Sequence, residues 1–124
     1  HLVTADIECG PWPFEQQTFD AVLVTNYLWR PLLPTLVASL GQGGVFIYET
    51  FASGQQTVGK PSRPDFLLQP GELLQVFAPL RIVAFEDGFL PDPDRFIQRI
   101  VAVRELQPVS AQPARHALSP VSAR

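Results

Sequence analysis

An α/β fold, with strands that run parallel at first and finish in an antiparallel hairpin, is predicted by three features of this sequence. Two nearly continuous apolar runs, DAVLVTN at 20–26 and VFIYET at 45–50, flank a stretch whose leucines recur at helical spacing. Runs of that kind, instead of clean alternation, suit strands buried on both faces of a parallel sheet. Two further runs, LRIVAFE at 80–86 and FIQRIVAVR at 96–104, are separated by turn formers from Asp87 to Asp94, so they pair antiparallel. Thirteen prolines in 124 residues break the chain too often for a helical bundle.

The elements follow in order. Residues 2–7 (LVTADI) read as a short strand ending in an acid, and Gly10-Pro11-Trp12-Pro13 forces an irregular loop after it. Residues 20–26 form the clearest strand. Leu32, Leu33, Leu36, Val37 and Leu40 predict a helix, with Pro34 tolerable only near its first turn, and Gly41, Gly43 and Gly44 end it. After the strand at 45–50 comes a polar stretch from Ala52 to Asp65, longer than an ordinary connection; such loops are usually functional or disordered. Pro70 opens a second helix carrying Leu73, Leu74 and Phe77, and the two hairpin strands follow. From Glu105 the composition turns to Pro, Ser, Ala and Gln, so 1–106 reads as the folded part and 107–124 as a disordered tail. The expected order is β, β, α, β, loop, α, β, β.

A net charge of -3 with no basic block argues against a nucleic-acid-coating surface. No apolar run is long enough to span a bilayer and no leader is visible, which makes a cytoplasmic location and no membrane partner the expectation. Cys9, the single cysteine, has no internal disulfide partner and no metal-ligand cluster beside it. The chain opens on His1 and runs at once into strand-like residues, so either residues precede His1 in the natural protein or something was trimmed.

In open α/β sheets ligands bind beyond the carboxyl ends of the strands. The residues there are Asp6 and Ile7, Asn26 and Tyr27, and Glu49, Thr50 and Phe51. Any one of them has an ordinary explanation, since Asp and Asn often cap turns. Three polar strand ends together predict a binding edge.

The segment ADIECGPWPFEQQTFDAVLVTNYLWRPLLPTLVASLGQGGVFIYETF resembles the middle of class I S-adenosylmethionine-dependent methyltransferases. The matching features are Asp6, Pro13-Phe14, Phe19-Asp20, the AVLVTN strand, the Leu32–Leu40 helix, Gly43-Gly44 and VFIYET. The next stretch, FASGQQTVGKPSRPDFLLQPGELL, resembles a bacterial subgroup of tellurite-resistance-type methyltransferases, and FEDGF with QRIVAVRE resembles the closing hairpin of that fold. The resemblance extends over about residues 2–105 and implies the C-terminal part of a doubly wound, Rossmann-like domain. The family's glycine-rich cofactor loop and its ribose-binding acid do not occur here. GQGG at 41–44 is no substitute, because it follows a helix and precedes a strand, the reverse of a phosphate- or cofactor-cradling order.

What the resemblance implies is specific. Asp6 would accept a hydrogen bond from the adenine amino group of S-adenosylmethionine, and the Ile7 backbone N–H would meet a ring nitrogen. Asn26 and Tyr27 would lie under the methionine portion and the transfer site, with Tyr27 and Glu49 as the catalytic candidates. Glu49 would orient or deprotonate a small-molecule acceptor; its ordinary alternative is an ion pair with Arg or Lys. Trp29 and Arg30 would border the acceptor pocket, or simply pack, and Lys60 and Arg63 would attract an anionic acceptor, or simply be solvated. Methyl transfer needs in-line positioning more than acid–base machinery, so the lack of a His/Asp pair is no objection. With the glycine-rich loop missing, the chain alone is expected to be inactive and to bind the cofactor weakly or not at all. The rival expectation is a non-catalytic truncated domain that binds a partner, or a second copy, through an open sheet edge. A more distant one is another nucleotide-binding α/β enzyme, such as a dehydrogenase.

Overall fold

The computed structural model describes residues 1–106 and 112–120. Its centre is a four-stranded sheet in the order β1-β2-β4-β3, formed by β1 (Phe19–Thr25), β2 (Leu40–Phe51), β3 (Arg81–Leu90) and β4 (Arg95–Val103). β1 and β2 are parallel, while β4 runs antiparallel to both β2 and β3. The α/β class and its closing hairpin are thus as the sequence predicts. The last strand in the chain inserts between β2 and β3, where it is hydrogen-bonded on both sides, and its run of buried apolar residues reflects that central place.

One face of the sheet is covered by α1 (Leu33–Ala38) and α2 (Glu72–Val76). Phe46, Tyr48, Ile100 and Ala102 point from the sheet into this layer and meet Leu33, Leu36, Leu73 and Phe77. Phe77 packs edge-on to both Phe46 and Tyr48, with centroids 4.7 and 6.1 Å away. Arg104 ties α1 to β2: its guanidinium donates to the carbonyl of Val37, in the last turn of α1, where carbonyls lack intrahelical partners, and to that of Leu40, the first residue of β2, both at 2.8 Å.

Residues 2–7 are not a strand. Leu2 and Val3 stand in solvent, and residues 7–9 form a turn in which the Asp6 carboxylate accepts the backbone N–H groups of Glu8 and Cys9. Strand propensity is realised only against a partner, and these residues pair with none of the four strands.

The helix before β2 closes at Ser39, earlier than the leucine spacing predicts, and the glycines belong to β2. There Phe19 pairs with Leu40 and Ala21 with Val45, so residues 41–44 bulge opposite Asp20 alone. Gly43 takes φ +76, open to glycine without strain, and its N–H reaches Arg104 O at 2.7 Å.

The long stretch after β2 is ordered. Ala52 bridges Leu68, and short 3₁₀ turns occupy Gln55–Thr57 and Pro64–Phe66. Two buried glutamines fasten it to β4. Gln55 donates to Lys60 O and accepts from Phe96 N; Gln98 donates to Gln69 O at 2.6 Å and accepts from Leu73 N. In the tail, residues 107–111 and 121–124 lie outside the described residues, and 112–120 have no regular secondary structure.

Candidate functional site at the strand ends

The carboxyl ends of β1 and β2 adjoin each other because the strands are parallel and in register, with Thr25 opposite Glu49. Asn26 ends β1 with φ +53, a left-handed conformation that asparagine tolerates better than most residues, and its N–H donates to Glu49 O at 2.9 Å. This turn lifts Tyr27 over the end of the covered face. Tyr48, buried below, donates its hydroxyl to the Tyr27 carbonyl and fixes the Tyr27 backbone.

The Tyr27 side chain closes the site against the first loop. Its hydroxyl donates to the Glu8 carboxylate at 2.6 Å. Burial, then the hydrogen bond to Glu8 and the charges of Glu8 and Asp6, push the phenol well above its ordinary range, so it is neutral at physiological pH. Asp6 is fully exposed, and the N–H groups of Cys9 and Glu8 hold its carboxyl below the usual carboxylate range. Ile7 and Trp12 are partly buried and pack against the core. Trp12, Phe14 and Phe19 stack edge-to-face in sequence, at 5.5 and 5.1 Å, and anchor this loop to the start of β1.

Five sequence-derived candidates therefore divide into two groups. Asp6, Ile7, Asn26 and Tyr27 gather around the first loop and the end of β1. The Glu49 carboxylate turns to the opposite face of the sheet, where Arg99 Nη1 lies 3.5 Å away and Glu86 shares the same guanidinium at 2.7 Å. There Glu49 lines a cavity of about 150 Å³ with Ile47, Ala84, Glu86, Arg99 and Val101. Only the Glu49 backbone joins the first group, through Asn26.

Arg30 is committed elsewhere. It pairs in bidentate fashion with Glu72, at 2.8 and 2.9 Å, and donates to the carbonyls of Asp65 and Leu67. This one side chain ties the segment after β1 to the segment before α2. Arg63 lies 3.4 Å from Asp65 and over the Phe66 ring, and Trp29 is more than a third exposed. Glu8, Glu72, Gln55 and Gln98 were not anticipated from sequence. Glu8 alone had a signal, its place two residues after Asp6; the others acquire meaning only from partners far along the chain.

Among the described residues no three His, Cys, Asp or Glu side chains converge to hold a metal ion, and no helix is long and apolar enough to cross a membrane.

No family model matches the sequence, and no curated protein matches it significantly. Solved structures do. TehB from Haemophilus influenzae matches with a TM-score of 0.55 at 16% identity, over 73% of this chain and 37% of that one. A SAM-dependent methyltransferase from Methanosarcina mazei matches with a TM-score of 0.56 at 12% identity, over 78% of this chain and 64% of that one. The chain thus spans less than two thirds of the length of either. The likeness is one of fold: this chain has the α/β fold found in S-adenosylmethionine-dependent methyltransferases.

Proposed function

We propose that the chain forms the acceptor-side part of an S-adenosylmethionine-dependent methyltransferase acting on a small molecule. The observation that carries this reading is the sheet order, a parallel pair followed by a hairpin whose last strand inserts between its partner and β2, together with the methyltransferase structures that share the fold. In this reading Asp6 and the Ile7 N–H take the adenine edge. Asp6 Oδ1 is occupied by its own turn, which leaves Oδ2 for an exocyclic amine. Asn26 and Tyr27 form the floor beneath the methionine portion, and the sulfonium supplies the methyl group when the cofactor is bound. Glu49 would act on an acceptor only after release from Arg99, so it ranks below Tyr27.

The cheapest test is the coding sequence before His1. A strand followed by a Gly-x-Gly loop encoded there supports the enzyme, and an authentic start at His1 supports the alternative below. In the protein made with such a segment, Asp6→Ala should weaken S-adenosylmethionine binding by about 1.5–3 kcal/mol, the worth of one hydrogen bond to a charged group. Unchanged affinity by titration calorimetry removes Asp6 from the site.

A second reading is favoured by a specific observation. Leu23 is 68% exposed and Ile47 45% exposed, side by side next to the edge of β1, with which no strand among the described residues pairs. A non-catalytic domain that binds a partner or a second copy through this edge would use those residues.

A further inference from the structure

The face of the sheet away from α1 and α2 carries a pattern that is complementary to itself. Two rows of side chains cross it in the strand order β1, β2, β4, β3. One is Leu23, Ile47, Val101 and Ala84; the next is Thr25, Glu49, Arg99 and Glu86. Laid against its own reverse, each row meets a fitting partner at every position. Large Leu23 falls on small Ala84, Ile47 on Val101, Glu49 on Arg99, and the Thr25 hydroxyl, a donor, on the Glu86 carboxylate. Leu23, Ile47, Ala84 and Glu86 are all exposed. Within the chain Glu86 holds Arg99 closely, at 2.7 Å, and Glu49 holds it loosely, at 3.5 Å, which leaves the Glu49 carboxylate room for a second cation.

Resting on the second reading above and deepening it, we infer that the partner seated on this face is a second copy of the chain, related by a two-fold axis running along the strands between β2 and β4. A closed two-fold interface requires that residue i meet j while j meets i. Here Glu49 of each copy meets Arg99 of the other. Facing sheets pack about 10 Å apart with their strands nearly aligned, a gap that a glutamate and an arginine span together. The charges exclude the other axes. An axis on β2 stacks Glu49 on Glu49, and one on β4 stacks Arg99 on Arg99, so like charges face each other. An axis along the apolar row lays Glu49 and Arg99 against Val45 and Val103, which desolvates both charges and supplies no new partner.

Sedimentation equilibrium of the full chain measures the association. Glu49→Lys sets a lysine over Arg99 of the other copy, and Arg99→Glu sets a glutamate over its Glu49. Each variant alone should raise the dissociation constant about a hundredfold, because two like-charge contacts replace two attractive ones. Mixed in equal amounts, the two variants should regain dimers: the new lysine meets the new glutamate, and Arg99 of the first chain meets Glu49 of the second. Contacts within one chain cannot be mended by mixing. Circular dichroism checks that both variants fold, and a cross-linking experiment does not depend on them. In a Cys9→Ser background, Leu23→Cys chains and Ala84→Cys chains are treated with a short bismaleimide. The mixture should cross-link more than either chain alone, since residue 23 lies over residue 84 of the other copy and far from its own counterpart. A monomeric wild-type chain, which leaves the face to some other partner, overturns the inference. So does a dimer that survives both charge reversals, a mixture that stays monomeric, or cross-linking no stronger in the mixture. The reading beneath it fails separately, on a Gly-x-Gly segment encoded before His1.

Discussion

The two faces of this sheet come from the same four strands and meet different fates. On the face under α1 and α2, Phe46, Tyr48 and Ala102 are fully buried and Ile100 is 1% exposed. On the other, the register lines up Leu23, Ile47, Val101 and Ala84 in one apolar row, beside a charged row of Glu49, Arg99 and Glu86. Nothing among the described residues covers that row at Leu23 and Ile47. Both faces carry an apolar row, and only the face that also lacks charges is packed under helices, so the contrast resides in the helices as well as in the strands. Apolar character states what a face can bury, and a packed element decides whether it does.

The sharpest way to break this comparison is to truncate both faces. Phe46→Ala should cost about 3–5 kcal/mol in urea unfolding, whereas Leu23→Ala should stay below about 1 kcal/mol. Similar losses would show that the open face is covered in solution.

A smaller effect is expected at Gln98, fully buried on the covered face. Gln98→Ala leaves Gln69 O and the Leu73 N–H without their partner, at about 1–3 kcal/mol. Hydrogen exchange should then quicken at Leu73; unchanged exchange would mean that the segment before α2 is held by Arg30 and Glu72 instead.

That pair gives a pH test. Burial pushes the Glu72 carboxyl up, but it is outweighed by the hydrogen bonds from Arg30 and the Gln69 N–H and by the Arg30 charge, so the net direction is down. A carboxyl lowered in the folded state contributes stability above its unfolded value and loses it as pH falls through the folded one. Wild type should therefore lose stability relative to Glu72→Gln on acidification below the ordinary carboxylate range. Parallel stability curves from neutral to acid pH would show that the pair contributes little.

The smallest expected change in stability is that of Ile47→Thr, within about 0.5 kcal/mol on a surface site. Its use lies in sedimentation: if copies associate through this face, the substitution shifts them toward monomer, and an unaltered association constant rules that surface out.

Part of the site was legible in the sequence. Asn26 and Tyr27 stand where a strand must end and the chain must turn, and an asparagine there suits the left-handed conformation it adopts. Asp6 was read as the end of a strand, but it belongs to a side-chain turn, from which its charge reaches Tyr27. Glu49 was legible as a strand-end acid, but not the direction of its carboxylate. Strand alternation sends residue 49 to the face opposite Tyr48 and residue 50, and there Arg99 claims it.

The sequence by itself determined the elements whose signal is local. These are the apolar strand cores, the turn formers between β3 and β4, and the helix beginning near Pro34. Each depends on residues a few positions apart. Only the tertiary structure decided that residues 2–7 form no strand, that the glycines bulge within β2, and that Arg30 reaches Glu72. It alone placed β4 at the centre of the sheet. Those outcomes depend on partners remote in sequence: a strand needs an edge to pair with, a buried carboxylate needs its cation, and a face is buried only when another element packs on it.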